Sequence, residues 1–162
     1  GVDVDPVLTD IAREDYPDVT WLVGDLAELD LAAHGITEPF DAIVAAGNVL
    51  PFLAPSTRQE VLRRLRAVLK PDGRAAIGFG AGRGYPFAEF FADTAATGWA
   101  VPSTFRGWNM LPFEPDSEFL VAILAPSAGG RATGVDMALR FGAAGGLDAG
   151  SDPMGGNSLR PM

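Results

Sequence analysis

Residues 61–79 read VLRRLRAVLKPDGRAAIGF. Val61, Leu62, Leu65, Val68 and Leu69 recur at helical spacing and make one apolar face. Ser56 and Gln59, just upstream, have the spacing of a capping box. Lys70 suits the carbonyl end of the helix dipole, and Pro71-Asp72-Gly73 stops the helix. RAAIGFG, 74–80, then reads as a buried strand. A helix that runs within a few residues into a buried strand is half of a strand–helix–strand unit, the repeating piece of a parallel α/β sheet.

The same alternation extends in both directions. GVDVD at 1–5 is the end of an apolar strand, and PVLTDIARED is a helix with Pro6 in its first turn. VTWLVGD is β-branched and aromatic, a strand ending at Gly24-Asp25. LAELDLAAHGI is a short helix or loop. FDAIVAAG is a continuous apolar run, which predicts a strand buried on both faces. Downstream, PFAEFFADTAATG is a helix with Phe87, Phe90, Phe91 and Thr94 on one side and Gly98 as its stop. VPSTFRGW and EFLVAILA are two late strands joined by a Pro-rich turn. The order predicts an α/β fold, a parallel sheet with an antiparallel addition at its end and right-handed crossovers. The apolar share of 48% and the length of 162 residues suit one domain with a real core. After residue 125 the composition turns to Gly, Ala and Ser, so 126–162 reads as a flexible tail. DMALRF within it offers one helical turn without a partner.

The net charge of -9 argues against a nucleic-acid partner. Eleven of the acidic residues fall by Asp41, against the single base Arg13. The absence of cysteine removes disulfides, thiolate catalysis and Cys-type zinc sites. His34 is the only histidine, which excludes multi-histidine metal centres, and His before Gly fits a helix end. No apolar stretch reaches about 18 residues, and there is no signal peptide, so no membrane and a cytoplasmic location are the expectation.

Ligands of doubly wound sheets bind at the carboxyl ends of the strands. Three such ends carry suggestive residues. Asp3 can accept the hydroxyls of a ribose, or can join Asp5 in capping the helix at Pro6. Asp25 can meet an exocyclic amine of adenine with Leu26 over the ring, or can cap the next short helix. The small residues of AAGNVL let a ligand approach the backbone, with Asn48 as a hydrogen-bonding group or a plain turn residue.

GVDVDPVLTDIA, VTWLVGDLAEL, FDAIVAAGNVLPFL and VLRRLRAVLKPDGRAAIGF, in that order, resemble the class I S-adenosylmethionine-dependent methyltransferases over about residues 1–125. The resemblance implies a Rossmann-like methyltransferase sheet and S-adenosylmethionine as cofactor, with a small-molecule methyl acceptor. It implies that Asp3, with its neighbour Val4, holds the cofactor ribose. Asp25 and Leu26 meet the adenine, and Ala46, Gly47 and Asn48 line the methionine part and the acceptor entrance. No catalytic residue and no metal ligand is assigned. In this family a glycine-rich turn follows the first strand and precedes the acidic ribose ligand by about one helix. No such turn precedes Asp3, and the chain begins with glycine, so the expectation is a sheet incomplete at its N-terminus, cut from a longer protein. The absent strand is central. Unpaired buried backbone groups cost about 1–3 kcal/mol each against a total stability of about 5–15 kcal/mol. The chain alone is therefore expected to fold poorly or to re-pair its strands, and to be inactive.

IGFGAGRGYP, 77–86, is the one glycine-rich run that follows a strand. As a permuted phosphate loop it would need a helix and then a strand ending in a carboxylate. WAVPSTFRGW offers none, so Gly78 to Gly84 read as the turn after a strand, with Arg83 and Tyr85 either facing a substrate or on a surface turn. The acceptor pocket is expected from 80–86 and 105–113, Trp108 included. Two other functions fit parts of the pattern. A nicotinamide-dependent oxidoreductase would also use Asp3, but Lys70, Tyr16 and Tyr85 do not form a Tyr-Lys pair. A non-catalytic binding module would take its missing strand from a partner.

Overall fold

Asp5 and Pro6 start the first helix for separate reasons. The Asp5 carboxylate accepts the N–H of Val7 at 2.8 Å, and Pro6 brings a preset φ with no N–H to satisfy. Helix α1, Pro6–Asp15, connects two short parallel strands, β1 Val2–Asp3 and β2 Leu22–Val23. The computed structural model describes residues 1–127. After β2 come β3 Phe40–Ala45, α2 Arg58–Ala67, β4 Leu69–Gly80, α3 Phe87–Ala96, β5 Trp99–Phe105 and β6 Phe119–Pro126. Strands β3 and β4 are parallel, and β6 lies antiparallel between β4 and β5. This is the expected α/β order, with the late strands forming the antiparallel pair. Most of the segment read as a tail, 128–162, lies outside the described residues.

The core sits between the second sheet and helices α2 and α3. Val61, Leu62 and Leu65 of α2, Phe90 of α3, Ile77 and Phe79 of β4 and Leu120 and Leu124 of β6 are buried together. Phe79 is its aromatic centre, with Phe87, Phe90 and Tyr85 at ring-centroid distances of 5.3, 5.2 and 5.8 Å. The Trp99 indole donates to the Leu62 carbonyl at 3.1 Å, tying β5 to α2. Gly98 ends α3 at φ 79°, a conformation that favours glycine.

Four local expectations are corrected. Ser56 and Gln59 form no capping box. Pro55–Thr57 is a 3-10 turn, no side chain caps α2, and Gln59 reaches across to Asp93 at 2.8 Å. Pro71-Asp72-Gly73 does not stop the helix, which ends at Ala67. The triplet lies inside β4, where the register against β3 shifts between Phe40↔Leu69 and Ala42↔Arg74. A side chain at Gly73 would meet Leu69 Cγ at 2.8 Å and the Asp41 carbonyl at 3.0 Å, so the bulge needs glycine. Leu69, read as part of the helix face, is a buried strand residue. Strand β3 is not buried on both faces. Phe40 is 38% and Val44 66% exposed, because β4 is its only neighbour among the described residues.

The β1–β2 pair and the four-stranded sheet share no ladder among the described residues. Among the described residues β1 does not pair with β3. Helix α1 buries only Thr9, and its Val7, Leu8 and Ile11 stay at least half exposed. Leu26 and Ala27 pack against the core, and Arg64 donates to the Leu29 carbonyl at 3.0 Å, anchoring the segment after β2 to α2.

Candidate functional site

Strands β1 to β4 run parallel within their sheets, so each sheet gathers its loops of one kind at one end. In the first sheet Asp3 pairs in register with Val23, and the Gly24 N–H donates to the Asp3 carbonyl at 2.9 Å. That bond fixes Asp3 and Asp25 at neighbouring strand ends. Asp3 uses Oδ1 to accept the Asp5 N–H at 2.9 Å, and no described residue donates to Oδ2. Asp5, not Asp3, is the N-cap of α1. Asp25 Oδ1 accepts the Ala27 N–H at 2.8 Å, closing a turn that carries Leu26 against the core. Asp3, Val4 and Asp25 are exposed and Leu26 is half-buried.

A cavity of about 220 Å³ opens beside Asp25, lined also by Leu22, Gly24, Glu28 and His34. His34 ends a 3-10 turn ahead of Gly35 at φ 75°, as its place before glycine suggested. Its position on this cavity was not legible, because it depends on how the 25–34 segment folds back over β2.

In the second sheet Ala46 and Gly47 leave the end of β3 exposed, and Asn48 turns the chain at φ 60°. The Asn48 N–H donates to the Gly78 carbonyl at 3.3 Å, and its side-chain Oδ1 accepts the Gly80 N–H at 2.8 Å. Asn48 is thus the clip between the ends of β3 and β4, more than a plain turn residue. A side chain at Gly24 or Gly47 would meet nothing within 4 Å, so the backbone at both strand ends is open to approach. The sequence-predicted residues fall into two groups: Asp3, Val4, Asp25 and Leu26 on one sheet, and Ala46, Gly47 and Asn48 on the other. No hydrogen bond joins the groups among the described residues.

The glycine run divides between a strand and a turn. Gly78 and Gly80 belong to β4, and Ala81 to Gly84 form the turn, stitched by an Ala81 N–H to Glu118 carbonyl bond of 2.7 Å. The strand after α3 is β5, which pairs antiparallel at the sheet edge. A permuted phosphate loop would open onto a parallel strand, so that reading is excluded. Tyr85 faces neither substrate nor solvent. It is buried, donates to Asp93 at 2.7 Å and lies under the Arg58 guanidinium at 4.0 Å. Burial, then the Asp93 carboxylate, pushes its phenol well above the usual range. Arg58, also buried, donates to the Gly84 carbonyl at 2.6 Å and to Glu89 at 2.9 Å, clamping the turn from below. This network was missed because the Arg58 and Gln59 side chains that tie it together bond partners 26 to 34 positions away, with no local signature.

The model of a methyltransferase domain matches residues 1–73. A TehB-like SAM-dependent methyltransferase from Corynebacterium glutamicum is similar at 42% identity with a TM-score of 0.73, covering 78% of this chain and 67% of that one. The chain belongs to the SAM-dependent methyltransferases. S-adenosylmethionine is the family's cofactor. The CcbJ methyltransferase of Streptomyces caelestis shares the fold at 15% identity and a TM-score of 0.70, over 79% of this chain and 74% of that one. So does SAM-bound CalS10, an amino pentose methyltransferase from Micromonospora echinaspora, at 16% identity and 0.58, over 76% and 72%. No curated protein is a match. No helix among the described residues is long and apolar enough to cross a membrane, and no group of His, Asp and Glu among them could hold a metal ion.

Proposed function

We propose that this methyltransferase holds S-adenosylmethionine across the ends of β1, β2 and β3 and methylates a small organic molecule. Bound there, the cofactor supplies an electrophilic methyl group on a sulfonium sulfur. Asp3 accepts the ribose hydroxyls through its carboxylate, with Val4 beside it. Asp25 accepts from the adenine amine, and Leu26, held by the core, covers the ring. Ala46, Gly47 and Asn48 line the methionine part and the acceptor entrance. Transfer is an in-line displacement in which positioning contributes most, so no general base is assigned.

One observation carries this reading. The Gly24 to Asp3 backbone bond sets two carboxylates at neighbouring strand ends, Asp3 with Oδ2 unengaged and Asp25 on the wall of a cavity. The donor set fits the cofactor: acceptors for hydroxyls and an amine, an apolar side chain for a ring, and open backbone at Gly24 and Gly47. Calorimetric titration with S-adenosylhomocysteine tests it. Asp3→Ala is expected to weaken binding by about tenfold to a hundredfold, the loss of hydrogen bonds to a charged acceptor. Asp5→Ala is expected to lower stability by about 1 kcal/mol through the lost helix cap and to leave affinity unchanged. Equal effects of the two substitutions on affinity overturn the assignment.

The exposed outer edge of β3 favours one second reading, a binding module whose partner supplies a strand between β1 and β3. A cooperatively folded chain with no affinity for S-adenosylhomocysteine is its signature.

A further inference from the structure

Among the described residues, Arg83 is the one arginine or lysine without a hydrogen bond or ion pair. Arg13, Arg58, Arg63, Arg64, Arg66, Lys70, Arg74 and Arg106 all have acceptors. An unpaired cation in a chain of net charge -9 stands out. It sits on the turn after β4, and its Cγ would be 3.8 Å from a side chain at Gly80, on the face where Asn48 Oδ1 would be 3.7 Å away.

Trp108 lies on that same face, two residues back along β4. Its indole edge covers Gly78 so closely that a Cβ there would meet Cζ2 at 2.6 Å, Cε2 at 3.0 Å and Nε1 at 3.2 Å. Gly78 and Gly80 are on one face of β4 about 6.6 Å apart along the strand. Trp108 is nonetheless 45% exposed, and its ring N–H has no acceptor among the described residues. The loop that carries it is built to hold a position. Arg106 N–H donates to Leu111 and Met110 N–H to Gly107, at 2.9 and 3.1 Å, and Arg106 pairs with Glu114 at 3.9 Å. Because β6 begins opposite Gly80, this loop stands at the same end of the sheet as Asn48.

We propose that Trp108 and Arg83 select the acceptor, and that it is a flat, apolar organic acid, a ring bearing a carboxylate. This rests on the methyl transfer proposed above. The indole face stacks the ring, and the guanidinium takes the carboxylate. Arg106 is paired with Glu114, which leaves Arg83 as the free cation on this face among the described residues.

Three probes with one ring and three charges decide it: benzoate, benzyl alcohol and benzylamine. Each is titrated into the ¹⁵N-labelled full chain while the Trp108 indole N–H resonance is followed, with and without S-adenosylhomocysteine. Benzoate is expected to shift that resonance and to bind about fivefold more tightly than benzyl alcohol, with benzylamine weakest. Arg83→Gln is expected to abolish the preference for benzoate and to leave benzyl alcohol unchanged, while Arg83→Lys retains part of it. Trp108→Ala is expected to weaken all three probes by about tenfold. A benzylamine affinity equal to that of benzoate, a preference that survives Arg83→Gln, or an unmoved Trp108 resonance overturns the proposal. The ranking in the unaltered chain requires no variant to fold. Calorimetry with S-adenosylhomocysteine reads the cofactor site separately, so failure there is distinguishable from failure here.

Discussion

Gly78→Ala drives a methyl group into the Trp108 indole. The new methyl carbon would stand 2.6 Å from Trp108 Cζ2, while non-bonded carbons settle at about 3.5–4.0 Å. The indole must therefore withdraw by about 1 Å. Trp108 is the side that moves, since it is 45% exposed on a loop while Gly78 is buried in β4, paired with Val121 of β6. The cost is the lost packing of one half-exposed ring, about 1–2 kcal/mol, and the strand itself tolerates alanine. Thermal unfolding and tryptophan emission measure both effects. The substitution is made in the natural background and again with Trp108→Ala. The expected coupling in that double-mutant cycle is about 1 kcal/mol, with a red-shifted emission only where Trp108 is present. A coupling of zero, or an emission that Gly78→Ala leaves alone, refutes the contact.

Further outcomes follow from the same packing. Gly47→Ala meets nothing within 4 Å, so it is expected to leave the melting temperature unchanged. It is expected to weaken S-adenosylhomocysteine several-fold by calorimetry, because the methyl occupies space assigned to the cofactor. Tyr85 holds its proton more tightly folded than unfolded, through burial and Asp93. The stability this contributes is complete below the ordinary tyrosine value of about 10 and is lost as the pH rises above it. Denaturant melts from pH 8 to 11 are expected to show a loss that Tyr85→Phe does not show. In hydrogen exchange, amides of β4 and β6 are expected to be the slowest. Those of α1, which buries only Thr9, are expected to exchange through local opening. Equal protection in α1 and β4 contradicts this.

The elements were legible where a local rule fixes them. Asp5-Pro6 starts α1, Gly98 ends α3, and the apolar runs mark β3, β4 and β6. The sequence misled where the deciding contact is distant. Pro-Asp-Gly reads as a helix stop, but Leu69 is already paired with Phe40, so the triplet becomes a bulge in β4. The apolar β3 reads as buried on both faces, yet whether a neighbour lies on its far side is not encoded in β3 itself. Asp3, Asp25 and Asn48 stand out in the sequence because each lies at or just past a strand end. That Asn48 clips β4 and that Arg83 stays unpaired emerges only from which strands are adjacent.

The most direct test of the central assignment is a set of nuclear Overhauser contacts between bound S-adenosylhomocysteine and the isotope-labelled chain. Adenine protons are expected to contact the Leu26 methyls, and ribose protons are expected to contact Asp3 and Val4. Contacts from the adenosine to the turn at 81–84, with none to Leu26, would place the cofactor elsewhere and contradict the assignment.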